Sequence, residues 1–325
     1  MIALLTGPGG DAQGWGDMNV TESIREAAEA KGYPTRIAYV AGDGEFFEFL
    51  ERRDFDIVWS ALYHVTPEEK YIGRNTAGTW VADELDARNI PYVGSDSRSM
   101  RNMIDKYRTH EILAAAGLPV PGHHLARAGD DLTPIAYPAF VKPVGESRSV
   151  GISDESVVHT EEELRRRVAY IEREFGQQAL VEEFLPGAEY TVLVLGNGKT
   201  RECLPGLVSC ASGHYGKYQI LRSDLRGVGL TRISLAGERS EEAKELARQA
   251  AEAMNCRDHV RIDMRVDKDG RLRIIEVNGI PGLKPHKSWA PQIYTLYHAS
   301  PLGEMEDYRL LIRTIIESAC RRAGL

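Results

Sequence analysis

Val260-Arg261-Ile262-Asp263-Met264-Arg265-Val266-Asp267-Lys268-Asp269-Gly270-Arg271-Leu272-Arg273-Ile274-Ile275-Glu276-Val277-Asn278 is the stretch on which the reading of this chain turns. Val260 to Val266 alternates apolar and polar residues, the pattern of a β-strand with one apolar face. Asp267-Lys268-Asp269-Gly270 is turn chemistry, and Arg271 to Val277 reads as the returning strand. The pairing brings Asp263 close to Glu276 and Asn278, and the last two share a face because strand side chains alternate with period two. Three oxygen donors then converge on one small volume. Such a set suits a hard cation, and Mg²⁺ on substrate phosphates is its commonest occupant. An ordinary hairpin with solvated acids fits the same letters. The continuation, Asn278-Gly279-Ile280-Pro281-Gly282, is too rich in Gly and Pro to extend a strand. It reads as a rigid loop presenting backbone N–H groups at the strand end.

Three pieces of this region carry a family resemblance: Arg261-Ile262-Asp263, then Glu276-Val277-Asn278-x-x-Pro281-Gly282, then Ser288-x-x-Pro291. Together they resemble the C-terminal part of the D-alanine–D-alanine ligases, within the ATP-grasp superfamily. The resemblance implies an ATP-dependent carbon–nitrogen ligase that forms a peptide-type bond through an acyl phosphate. It implies Mg²⁺, two ions, on Asp263, Glu276 and Asn278. It gives Arg261 and the Gly282 N–H the tetrahedral oxyanion, and Ser288 the carboxylate of the amine substrate. One residue more than in the family precedes Ser288, and Lys284 and Lys287 either help Ser288 with that carboxylate or, the favoured reading, are surface charges.

The chain has 325 residues, 42% hydrophobic and 27% charged, enough for two or three domains. A net charge of −8 disfavours nucleic acid as a partner. No apolar run approaches membrane-span length. Met1-Ile2-Ala3-Leu4-Leu5 runs into Thr6 and glycines, which is not a signal-peptide pattern, so a cytoplasmic protein is expected. The four cysteines lack C-x-x-C spacing and read as free thiols.

Outward from the hairpin, residues 1–96 alternate strands (Ile2–Thr6, Thr35–Val40, Phe55–Leu62, Ile90–Val93) with helices (Thr21–Ala30 capped by Thr21, and Thr79–Arg88). That order argues a parallel sheet in an N-terminal α/β domain. Pro8 and the glycine spacing fit a dinucleotide fingerprint badly, so Gly7 to Gly14 reads as a substrate-facing loop at a strand's carboxyl end. The family carries Glu-Val-Ser in this region, its glutamate holding the first substrate's amino group. Here the similar place is Asn19-Val20-Thr21, and His64 resembles a family histidine, followed by Arg74-Asn75-Thr76-Ala77-Gly78 where the family has Gly-Glu-Asp-Gly. A neutral Asn19 cannot supply a charge-assisted bond. These departures imply a first substrate other than D-alanine.

Residues 97–190 read as a central nucleotide-binding domain. Lys106 opens a helix to Ala116, and Tyr137 to Pro143 is a strand ending near Lys142. The two lysines look like the pair that ATP-grasp enzymes direct at ATP phosphates, as point charges on phosphate oxygens. Ser147-Arg148-Ser149-Val150-Gly151 resembles the family's Gly-Ser-Ser-Val-Gly. Small residues there let backbone N–H groups approach phosphate, with Ser149 among them. Arg148 stands where the family has a substrate-linked serine, and either contacts phosphate or a substrate carboxylate, or faces solvent. Thr160 with Glu163 forms a capping box for a helix to Glu174. Gln178 to Tyr190 resembles the segment along adenine and ribose: Glu183-Phe184-Leu185 offering backbone groups to the base, Glu182 beside it, and Glu189 on the ribose hydroxyls.

Residues 191–325 read as a C-terminal mixed-sheet domain carrying the catalytic and metal residues, with a hairpin turn at Leu195–Gly198 and structural helices at Ser240–Met254 and Gly303–Arg322. Cys210 to Gly229 has little apolar periodicity and reads as a lid. His214-Tyr215-Gly216-Lys217-Tyr218 resembles the family's Lys-Tyr lid element, with Lys217 on the γ-phosphate and Tyr218 closing the substrate site. The whole resemblance implies an ATP-grasp ligase with ATP and two small-molecule substrates, and commonly a homodimer. Altered substrates, as in antibiotic or other specialised biosynthesis, are the favoured version. Cell-wall D-alanine–D-alanine synthesis is the alternative. A non-catalytic ATP-binding module is an outsider, since it need not keep the metal set.

Overall fold

A computed structural model of the chain describes residues 1–66, 72, 78–131, 136–211, 214–225 and 230–325. Arg74 to Ala77 and most of the glycine-rich end of the 210–229 segment lie outside them.

The N-terminal part runs β1 (Ile2–Thr6), α1 (Gly10–Gln13), α2 (Met18–Ala30), β2 (Thr35–Tyr39), α3 (Asp43–Arg52), β3 (Ile57–Ser60), α4 (Val81–Ala87) and β4 (Tyr92–Val93). Its strands pair parallel in the order β2-β1-β3-β4. Ala3, Leu5, Val58 and Leu62 on one face pack against Phe46 and Phe49 of α3. Leu4, Ile57 and Trp59 face α2 through Ile24, Ala27 and Ala28. The Phe46-x-x-Phe49-Leu50 spacing is the helical signal of α3, an element absent from the sequence reading. Helix α2 begins three residues ahead of expectation. Its cap is Asp17, whose carboxylate accepts from Val20 N at 3.1 Å. Thr21 instead accepts from the Trp15 indole at 2.9 Å.

Helices α5 (Ser97–Ile104), capped by Asp96, and α6 (Lys106–Ala115) lead into the central part. There β5 (His123–Ala126), β6 (Ala139–Pro143), β7 (Val157–Val158), α7 (Glu161–Phe175) and β8 (Ala179–Glu183) form an antiparallel sheet, order β5-β8-β6-β7, with α7 on one face. The α7 capping box is displaced by one residue. Thr160 accepts from Glu163 N, but the Glu163 carboxylate reaches His159 N rather than the cap's own.

The last sheet has the order β11-β10-β9-β12-β13, from β9 (Glu189–Leu195), β10 (Glu202–Cys210), β11 (Thr231–Leu235), β12 (His259–Val266) and β13 (Leu272–Asn278). Each pairing in it is antiparallel, where a mixed sheet was expected. Helices α8 (Ser240–Ala253), α9 (Trp289–His298) and α10 (Glu304–Ala323) complete the fold. One core face of this sheet buries Val192, Val194, Ile262, Met264, Ile274 and Val277, with Ala243, Ala247 and Ala250 of α8 in the same cluster. The opposite face carries Glu189, Thr191, Arg261, Asp263 and Arg265, and that polar stretch is the floor of the site.

Candidate active site

Alternation writes that polar floor. Glu189 and Thr191 of β9, then Arg261, Asp263 and Arg265 of β12, all project from the non-core face. Strand β13 would break the pattern. Leu272 and Ile274 are core residues, so unbroken alternation would send Glu276 to the core as well. A bulge resolves this: Met264 pairs with Ile274 but Asp263 pairs with Glu276, and Ile275 is the extra residue. Beyond it the phase is reversed. Glu276 faces Asp263, Asn278 faces Arg261, and Val277 returns to the core.

The three expected metal donors are therefore together. Asp263 is 2% exposed. Its Oδ1 accepts from Thr191 Oγ1 at 2.7 Å and Arg261 Nε at 2.9 Å, and its Oδ2 from Arg261 Nη2 at 2.7 Å and Asn278 Nδ2 at 3.2 Å. Glu276 Oε1 lies 3.0 Å from Lys106 Nζ. Two carboxylates and an amide are hard oxygen donors of the kind Mg²⁺ takes, so the residues fit that ion. In this structure Arg261 and Lys106 supply the balancing positive charge. Arg261 also lies over the Trp289 ring, 4.8 Å from its centroid.

Two clefts meet along this acidic line. One is lined by Lys106, Phe140, Lys142, Ser149, Val150, Ile152, Glu182 to Leu185, Glu189, Ile220, Leu221, Asp263, Ile275 and Glu276. Apolar walls with a few buried charged groups are the make-up of a small-molecule site, here of nucleotide type. Lys106 and Lys142 are 6% and 5% exposed. Lys142 Nζ pairs with Glu182 Oε2 at 2.7 Å, and Lys106 donates to the Glu146 carbonyl. Burial pushes the Glu182 carboxyl up, against the pull of Lys142. His110 Nε2 stands 3.1 Å from Glu182 Oε1 without hydrogen-bond alignment. Burial first, then Lys142, pushes that imidazole down to about 2, so it is neutral and brings no cation to Glu182. Glu189 pairs with Arg265 at 3.2 Å, and Arg265 Nε also holds the Leu185 carbonyl at 2.7 Å. That bond fixes the Glu183–Pro186 connector between the two antiparallel sheets.

The second cleft is lined by Asp11, Gln13, Trp15, Asp17, Ser147, Arg148, Thr231, Arg261, Asn278, Ile280 to Gly282, Lys284, Lys287, Ser288 and Trp289. Loops dock to build it. Leu283 N donates to Trp15 O at 3.0 Å, and Ile280 N to the Tyr63 hydroxyl at 3.2 Å. Lys284 N donates to Ser288 Oγ at 3.0 Å. The 145–151 loop closes one side: Ser147 Oγ donates to Ala12 O at 3.0 Å, and Arg148 pairs with the Asp11 carboxylate at 2.7 Å. Arg148 and Ser149 sit in the left-handed backbone region, φ 56° and 57°. Arg148 thus does not line the nucleotide-sized cleft; partly exposed, it bridges to the N-terminal turn.

Four expected residues fall elsewhere. Asn19 is exposed on α2, and the acids facing the second cleft are Asp11 and Asp17. The cap at Asp17 sets the phase of α2, and a helix start read at Thr21 hides that. His64 lines neither cleft. It is fully buried, its Nε2 3.1 Å from Ile72 O, and its backbone N donates to the Gln13 side chain, so it props a residue that does line the cleft. Lys217 and Tyr218 border a separate groove on α7, where Tyr218 bonds His159 at 2.6 Å and meets Phe184 edge-on. Ile220 and Leu221 are the segment's contribution to the nucleotide-sized cleft. Sequence reasoning misses Glu146, Arg265 and His110. Glu146 and Arg265 are buried polar residues whose partners come from distant chain, and His110 is buried beside Glu182.

The family model for the D-ala D-ala ligase C-terminus matches residues 115–296. A D-alanine–D-alanine ligase of Glaesserella parasuis is 31% identical over 88% of this chain and 89% of its own. An uncharacterized protein of Sinorhizobium fredii is 26% identical over 95% and 90%. A crystal structure of D-alanine–D-alanine ligase from Bacillus anthracis complexed with ATP aligns at a TM-score of 0.70 and 20% identity, covering 99% of this chain and 98% of that one. A model spanning more than half of the chain, and a ligase relative above 30% identity along most of it, establish that this protein belongs to the D-alanine–D-alanine ligase family, ATP-dependent ligases of the ATP-grasp superfamily.

Proposed function

We propose that this ligase activates one substrate's carboxylate as an acyl phosphate and couples it to the amine of a second. The observation that carries this is the meeting of the two clefts at Asp263, Glu276 and Asn278. The nucleotide-sized cleft has apolar walls for a flat base (Val150, Leu185, Ile220, Leu221) and buried ammonium groups for phosphates. A carboxylate is a poor electrophile because its leaving group would be oxide; transfer of a phosphoryl group to its oxygen replaces oxide by phosphate. Lys106 and Lys142 balance charge on the transferring group. Bound Mg²⁺ would be held by Asp263, Glu276 and Asn278 and would neutralise charge on the phosphate oxygens. Attack by the amine forms a C–N bond and a tetrahedral oxyanion. Arg261 and the Gly282 N–H would stabilise that oxyanion before phosphate leaves; one such donor is typically worth about 3 kcal/mol. Asp17, and Asp11 beside Arg148, suit an ammonium on the first substrate. Ser288 at the start of α9 suits the carboxylate of the second.

We further propose that the substrates are not two D-alanines. The Arg148–Asp11 bridge and the Lys284–Lys287 corner of the second cleft support that choice. The names of the relatives favour the second reading, D-alanine–D-alanine synthesis. Phosphate release from ATP with Mg²⁺, across D- and L-amino acids and related amines singly and in pairs, decides between them. Release with D-alanine alone, as fast as with any other pair, would overturn altered specificity. Silence throughout, with ATP bound, would overturn the ligase reading.

A further inference from the structure

The formal charges in the second cleft do not cancel. Arg148 is taken by Asp11 and Arg261 by Asp263. Asp17 caps α2. Lys284 and Lys287 remain, half-buried and exposed respectively, and among the described residues neither ammonium has an acidic partner within ion-pairing distance. Both flank Ser288, the first residue before α9, whose side chain does not cap that helix. The helix start therefore adds positive potential at the same corner.

Resting on the ligase reading, we propose that the amine substrate is a dicarboxylic amino acid. Its α-carboxylate meets Ser288 and the start of α9, and its second carboxylate meets Lys284 and Lys287. A single carboxylate would leave at least one of these cations unanswered. Two carboxylates balance the corner. The local positive potential also lowers the pKa of the incoming ammonium and so favours the free amine that must attack. The buried Trp289 ring lies beneath Arg261 and lines the same cleft.

The test uses neutral isosteres. Calorimetric binding of glutamate and aspartate, both enantiomers, is compared with glutamine and asparagine on the protein loaded with Mg²⁺ and a non-hydrolysable ATP analogue. The acids are expected to bind at least about tenfold tighter than their amides, the loss typical of one charge-assisted bond. That preference should vanish in the double variant Lys284→Gln/Lys287→Gln, while the affinity for the ATP analogue stays unchanged. Equal binding of acid and amide, binding of neither, or a preference that survives the double variant overturns the proposal. Phosphate release separates this from the parent reading. Turnover with neutral amines preferred leaves a ligase without an anion corner. Tight dicarboxylate binding that never yields phosphate with any donor leaves the anion corner without a ligase.

Discussion

The two clefts share a floor and differ in how their charges are held. In the nucleotide-sized cleft both ammonium groups are buried and already face a carboxylate: Lys142 on Glu182, Lys106 on Glu276. In the other, Arg148 and Asp11 keep 40% and 56% of their side chains exposed, Lys284 is half-buried and Lys287 exposed. Buried, partnered charges hold one geometry and suit a ligand that does not change across a family. Open charges can be altered at little stability cost and suit substrates that do. On the proposed function, the first cleft would carry the chemistry and the second the choice.

The largest effect should come where the clefts meet. Glu276→Ala takes one carboxylate from the Asp263–Glu276–Asn278 set and leaves buried Lys106 without its carboxylate partner; phosphate release should become undetectable, with a clear fall in melting temperature. If activity survives, the shared floor is not the reaction centre. Next, Lys142→Ala leaves Glu182 buried without its cation, which typically costs about 3–5 kcal/mol. Glu182's folded pKa is already raised by burial. Losing Lys142 raises it further, so the variant's stability is present at low pH and declines as pH rises through the folded carboxyl's pKa. Urea unfolding at pH 5 and pH 8 reads the sign, and a variant equally stable at both would show that the pair is not desolvated. On the open side, Arg148→Ala should change stability by under about 1 kcal/mol, as exposed pairs do. It should raise an amino-acid KM by roughly tenfold with little change for ATP. A larger ATP effect would erase the contrast. Smallest of all, Asn19→Ala should alter kcat and every KM by less than about twofold, since its side chain faces solvent; a strong effect would restore the position to the substrate site.

Legibility in the sequence follows the same divide. The floor is readable because β12 and β13 are adjacent in sequence and alternation is a local signal; the Asp263–Glu276–Asn278 convergence needs only a hairpin. The adjacent pair Ile274-Ile275 is the visible trace of the bulge, and periodicity alone does not say which of the two is extra. Lys106, Lys142 and the Glu182–Leu185 connector are readable by resemblance. The second cleft is assembled from a turn after β1, a loop before α7 and a loop before α9. No local pattern brings Asp17, Arg148 and Lys284 together. Asn19 stands two residues from the acid that faces the cleft, because the cap of α2 is Asp17 and a helix read from Thr21 loses the turn that places it. Tyr218 and Lys217 rest on a shorter-range likeness, and their actual neighbours, His159 and Phe184, belong to the central part.

The clasp of Ser147 and Arg148 on the turn at Asp11 and Ala12 ties a phosphate-type loop to a substrate loop. Linkage makes that tie reciprocal: whatever free energy a substrate gains by ordering the turn, the nucleotide gains from the same event, and couplings of this kind are typically about 1–3 kcal/mol. On the proposed function, such a clasp would guard the protein's own fuel: with the turn loose the nucleotide would sit on a loop lacking its brace, and with the turn set the acceptor would already be in place. Thrift with ATP would then be a property of one polar clasp rather than of a separate gate.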